Sequence, residues 1–94
     1  MTREQYCYHF ESAADMKTVE ELLLLAAMAA EGLHGRSRIQ LDAAFRCEPT
    51  TRTVEIDAGN EVGAAIARIF TALLSTTVGE AAFKVERTDK EVQV

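Results

Sequence analysis

The sequence predicts an α+β sandwich in the order β-α-β-β-α-β, and three observations carry that prediction. Two segments, 18–33 and 61–78, repeat their apolar residues at the helical period. Four others alternate apolar and polar residues at the strand period. One choice of parity then turns the apolar side of all four strands toward the helices. Agreement among separate segments is better evidence than any of them alone.

The first strand is expected over Gln5 to Glu11, QYCYHFE. Tyr6, Tyr8 and Phe10 share one face, and Cys7 and His9 share the other, as in a half-buried strand. Thr18 to Leu33, TVEELLLLAAMAAEGL, is the stretch the chain is organised around. Eight apolar residues precede Ala30 without a break, so alternation fails there, and Ala and Leu are strong helix formers. Val19, Leu22, Leu23, Ala26, Ala29, Ala30 and Leu33 fall on one stripe, with Lys17, Glu20, Glu21 and Glu31 opposite. Ser12 and Asp15 can each cap this helix, and Thr18 with Glu21 also reads as a capping box. Gly35, or earlier Gly32, ends it. The apolar run is far short of the ~20 residues of a membrane span.

Arg38 to Glu48 alternates again, with Ile39, Leu41, Ala43, Phe45 and Cys47 on the inner face and Arg38, Gln40, Asp42, Arg46 and Glu48 on the outer. Pro49-Thr50-Thr51 interrupts the ladder, and Arg52 to Asp57 resumes it with Val54 and Ile56 inward, giving a hairpin. Ala58-Gly59-Asn60 forms a turn in which Gly59 is expected at positive φ and Asn60 caps the next helix. From Glu61 to about Val78, the residues Val62, Ile66, Ile69, Phe70 and Leu73 share one side; Gly79 ends the helix. Ala82 to Thr88 supplies the last strand, Phe83 and Val85 inward, and Asp89 to Val94 reads as a loose tail.

Right-handed crossovers and uncrossed connections favour the split βαβ arrangement, an antiparallel sheet in the order 4-1-3-2 with both helices on one face. This pattern resembles the ferredoxin-like βαββαβ architecture. The resemblance implies a fold and no activity, because that fold hosts many unrelated functions.

Ninety-four residues suit one α+β domain, 1–94, and an apolar fraction of 48% argues against disorder throughout. A net charge of -5 opposes binding to a polyanion. The start, MTREQYCYHF, lacks the order of an export signal, and two cysteines without one suggest free thiols in a reducing compartment. A cytoplasmic protein is expected.

The open sheet face should carry Cys7, His9, Arg38, Gln40, Asp42, Arg46, Thr53, Glu55, Lys84 and Glu86. An RNA-reading sheet needs exposed rings and basic charge on its central strands, whereas Cys7, His9, Thr53 and Glu55 stand there. No nucleic-acid partner is expected. Cys7 and His9 share a face, with Glu55 or Glu86 as a third donor, yet a structural zinc site takes four ligands and no Cys-x-x-Cys pair is present. No metal or other cofactor is assigned. Neither His9 nor His34 adjoins a nucleophile in a recognisable motif, so no catalytic residue is assigned either. The turn Gly59 to Gly63 has glycines at a helix start, but Glu61 stands where an anion would sit.

Packing surfaces remain. Leu24 and Met28 are one turn apart among acidic residues, with Leu25 beside them. On the second helix Ala64, Ala65, Ala67, Thr71, Ala72 and Ser75 form a side almost without charge, Arg68 and Glu61 excepted. Either the helices cover these surfaces mutually, or Leu24, Leu25, Met28, Ala64, Arg68, Thr71 and Ser75 form a contact surface. The expectation is a small non-catalytic interaction module that self-associates as a homo-oligomer or binds another protein. The rivals are a small-molecule-binding regulatory domain and an enzyme whose site is assembled at a dimer interface.

Overall fold

A computed structural model describes residues 2–37, 40 and 43–91. Its elements are β1 (Thr2–Phe10), α1 (Met16–His34), β2 (Phe45–Glu48), β3 (Thr53–Asp57), α2 (Glu61–Thr77) and β4 (Phe83–Glu91), with a short 3-10 turn, Glu80–Ala82, before the last strand. The strands form one antiparallel sheet in the order β2-β3-β1-β4, and both helices lie over one face. This is the ferredoxin-like βαββαβ arrangement.

The ladder registers fix the faces. Tyr8 stands opposite Val54 on one side and Val85 on the other, and Tyr6 stands opposite Ile56. Cys7 stands between Glu55 and Glu86. The expected parity therefore holds on every strand. Tyr8, Val54, Ile56, Val62, Ile66, Phe70, Leu74, Val19 and Leu23 make the buried core between sheet and helices. At its centre the Tyr8 and Phe70 rings meet edge to face, centroids 4.9 Å apart.

Asp15 caps α1, accepting from Lys17 N at 3.0 Å, and Thr18 donates its own hydroxyl to Asp15 rather than serving as the cap. Gly35, at φ 88, closes the helix. The stripe lies where the sequence places it, with two exceptions: Ala29 is exposed and Leu33 is 72% exposed. Leu33, on the core side of the helix wheel, sits in the last turn of α1.

Several boundaries differ from expectation, and β1, expected over Gln5 to Glu11, runs from Thr2 to Phe10. The second strand begins at Phe45, with helical backbone at Gln40; positions 38, 39, 41 and 42 lie outside the described residues. The cause is the partner strand. β3 ends at Asp57, whose amide donates to the Ala44 carbonyl at 2.9 Å, so residues before Ala44 would have no ladder to join. Arg52 belongs to the hairpin loop rather than to β3, at φ 55. Its guanidinium donates to the carbonyls of Glu11 and Ala14, and its own carbonyl accepts from Phe10 N, so one residue ties the hairpin to the β1–α1 connection. Finally, β1 and β4 pair over their whole lengths, from Thr2 opposite Glu91 to Phe10 opposite Phe83. Asp89 to Glu91 are strand and not tail, while 92–94 lie outside the described residues.

The turn into α2 is built differently as well. Positive φ falls on Gly35, Gly79 and Arg52, and not on Gly59. Asp57 Oδ1 accepts from Gly59 N at 2.9 Å, and Asn60 Oδ1 from Gly63 N at 2.8 Å. Gly63 has a steric reason to be glycine: a Cβ there would stand 1.8 Å from the Asp57 carbonyl oxygen.

Candidate functional site

A groove of about 650 Å³ opens on the helix side of the sheet, between α2 and the edge strand β4. Its origin is a mismatch of side-chain lengths. α2 presents Ala64, Ala67, Thr71 and Ala72 to this side, and β1 and β4 present Glu4, Tyr6, Tyr8 and Val85. Such short side chains cannot span the gap between a helix and an edge strand. Val85 consequently stays 42% exposed, although its register partner Tyr8 is buried on the same face.

The groove floor is hydrogen-bonded. The Tyr8 hydroxyl and Thr71 Oγ1 lie 2.7 Å apart, and both reach the Ala67 carbonyl, at 3.3 and 2.7 Å. Burial pushes the Tyr8 phenol pKa above its ordinary value. At one end Tyr6 donates to Glu4 Oε1 at 2.6 Å, and Arg87 donates to Glu4 Oε2 at 3.2 Å. The Glu4 hydrogen bond, with burial behind it, raises the Tyr6 phenol pKa, while Arg87 and Arg68 pull it down. Both oxygens of Glu4 are thus engaged. Arg68, on the adjacent turn of α2, is exposed and makes no ion pair among the described residues.

These raised pKa values set a pH dependence. The thiols of Cys7 and Cys47 are raised as well, each mainly by burial, then by Glu55 and Glu86 around Cys7 and by Glu20 and Glu48 around Cys47. A group with a raised folded pKa contributes stability below its unfolded value and loses it as pH climbs toward the folded one. With ordinary values of 9.0 for thiols and 10.0 for phenols, the denaturation midpoint should fall progressively as pH rises from 9.0 upward. Guanidinium titrations at a series of pH values check this; a midpoint that rises through the same range contradicts it.

The seven residues expected to form one contact surface are separated. Ala64, Arg68 and Thr71 line the groove, and Ser75 follows them on α2, half-buried. Leu24, Leu25 and Met28 do not; they stand on the outer side of α1 at 53, 50 and 66% exposure. The helices do pack together, but that contact leaves these three uncovered. Ala67, expected on the outer side of α2, is buried over Tyr8.

On the open face, His9 Nε2 lies 3.4 Å from Glu86, and Arg46 bridges Glu48 and Glu55 at 3.5 and 2.9 Å. Among the described residues no three His, Cys, Asp or Glu side chains converge where an ion would sit. Cys7 and Cys47 are free thiols, on opposite faces and on strands with β3 between them. Two amides at the entry to α2, those of Gly59 and Gly63, donate to Asp57 and Asn60, which takes those two away from any anion. No described helix is long and apolar enough to cross a membrane.

The sequence signalled Tyr6 and Tyr8 only as face assignments and Arg68 only as a contact residue, and it gave no sign of the groove, which depends on the spacing between layers. Compared with known proteins, the chain matches no family model, no curated protein and no solved structure.

Proposed function

We propose that this chain is a non-catalytic protein-interaction module that self-associates through the outer side of α1. One observation carries the reading. Leu24, Met28 and Gly32 form one exposed i+4 row, with Leu25 and Ala29 exposed beside it. A single exposed leucine is ordinary, whereas contiguous apolar rows mark a contact surface. Rows at i+4 spacing are also the ridges that interdigitate when two helices cross at about −50°. Applied to two copies of α1, this gives a two-fold contact in which the same surface meets itself. On the open face His9 and Arg46 are paired with carboxylates, those of Glu86 and Glu55, which is consistent with a non-catalytic role.

Glu20 and Glu21 flank the rows and Glu31 is half-buried beside them, so a two-fold contact brings like charges together. Screening then favours association. The Debye length falls from about 10 Å at 0.1 M salt to about 3 Å at 1 M. Sedimentation equilibrium should show a dimer that tightens as salt is raised. Leu24→Asp with Met28→Lys should abolish it while leaving the circular dichroism spectrum intact. A monomer at high protein concentration in high salt, or association unaffected by the double substitution, contradicts the proposal.

A further inference from the structure

The groove between α2 and β4 is distinct from the α1 surface and has its own chemical signature. Its walls are methyl groups and ring faces, from Ala64, Ala72, Val85 and Tyr6. Its other polar groups are already matched: Tyr8 with Thr71 and Ala67, and Tyr6 with Glu4, whose second carboxylate oxygen takes Arg87 from outside the groove. Among the described residues, what the groove leaves unmatched is apolar surface and one guanidinium, that of Arg68.

We infer that this groove binds a small carboxylate with an apolar body, the carboxylate on Arg68 and the body between Val85 and the alanines of α2. A volume of about 650 Å³ is that of a site for a small organic molecule. An arginine fork matches a carboxylate in two parallel hydrogen bonds. Glu4, near the same end, disfavours a second negative charge, which selects a monoanion over a phosphate ester. An apolar tail covers the exposed side of Val85, and an uncharged or cationic head leaves Arg68 without a partner or repels it.

Calorimetric titration with decanoate, kept below its micellar concentration, tests this against two molecules of the same tail: decanol and decyltrimethylammonium. Decanoate should saturate a single site and bind more tightly than either. Arg68→Gln should weaken decanoate by about tenfold, the worth of a charge-assisted hydrogen bond, and leave decanol unchanged. Ala72→Trp, at an exposed position of α2, should block both. Should that variant fail to fold, the wild-type resonances of Tyr6 and Val85 still report, since they should shift on adding decanoate. The Leu24→Asp, Met28→Lys chain should bind decanoate as the wild type does, which separates this site from self-association. Non-saturable binding, equal affinity for decanol, or shifts centred on Leu24 and Met28 overturn the inference.

Discussion

Gly63→Ala should destabilise the fold by on the order of 3 kcal/mol or more, at or beyond the upper end of overpacking costs. Two effects compete at this position. Replacing a helical glycine by alanine ordinarily favours the helix by about 1 kcal/mol. Here the new Cβ would lie 1.8 Å from the Asp57 carbonyl oxygen and 2.9 Å from its carbon. Neither side can yield easily. Asp57 is the last residue of β3, held in the ladder, and the Gly63 amide is fixed by the Asn60 cap at 2.8 Å. The steric effect therefore wins, and α2 must move off the sheet or β3 must lose its final pairing. Denaturant titration reads the result directly. A variant as stable as the wild type, or more so, would mean that α2 does not meet β3 at this angle.

Phe70→Ala should cost roughly 3–5 kcal/mol, the range for removing a buried aromatic side chain. Phe70 is fully buried, stands edge to face against Tyr8, and lies where α2 crosses the centre of the sheet. Small domains have about 5–15 kcal/mol in total, so the variant should be partly unfolded or close to it. Leu24→Ala, at a position more than half exposed, should change monomer stability by only about 0.5 kcal/mol or less. Comparable costs for the two would show that the outer side of α1 belongs to the core.

The fold was legible because each strand is half-buried. Period-two alternation reports which side of a strand is covered, and Tyr6, Tyr8, Val54, Ile56 and Phe83 all report the same side. The boundaries were less legible, for reasons that lie in the partner strands. Asp89 to Glu91 form strand because β1 reaches back to Thr2, and backbone pairing along an edge leaves no hydrophobic signature. Residues before Ala44 alternate suitably, but β3 offers them no partner. Alanine is the other source of error. It fits core and surface equally, so the pattern did not distinguish Ala67, buried over Tyr8, from Ala72, exposed at the groove.

The exposed outer side of α1 was legible. Leu24, Leu25 and Met28 stand out on a helical wheel, and the structure leaves them exposed. Ala64, Arg68, Thr71 and Ser75 lie apart from them on α2; helical phase says nothing of which neighbour a side faces. The Arg52 link was illegible: a guanidinium reaching the carbonyls of Glu11 and Ala14 depends on loop conformation, and residue type alone carries no trace of it.

Face assignment on β1 underlies every surface named above, and proton–proton proximities test it most directly. The account predicts cross-peaks between the ring protons of Tyr8 and Phe70, whose centroids are 4.9 Å apart, and between Cys7 or His9 and their neighbours Glu55 and Glu86. Cross-peaks from Cys7 or His9 to Leu23 or Phe70 would contradict it, because the covered and open faces of the sheet would then be exchanged.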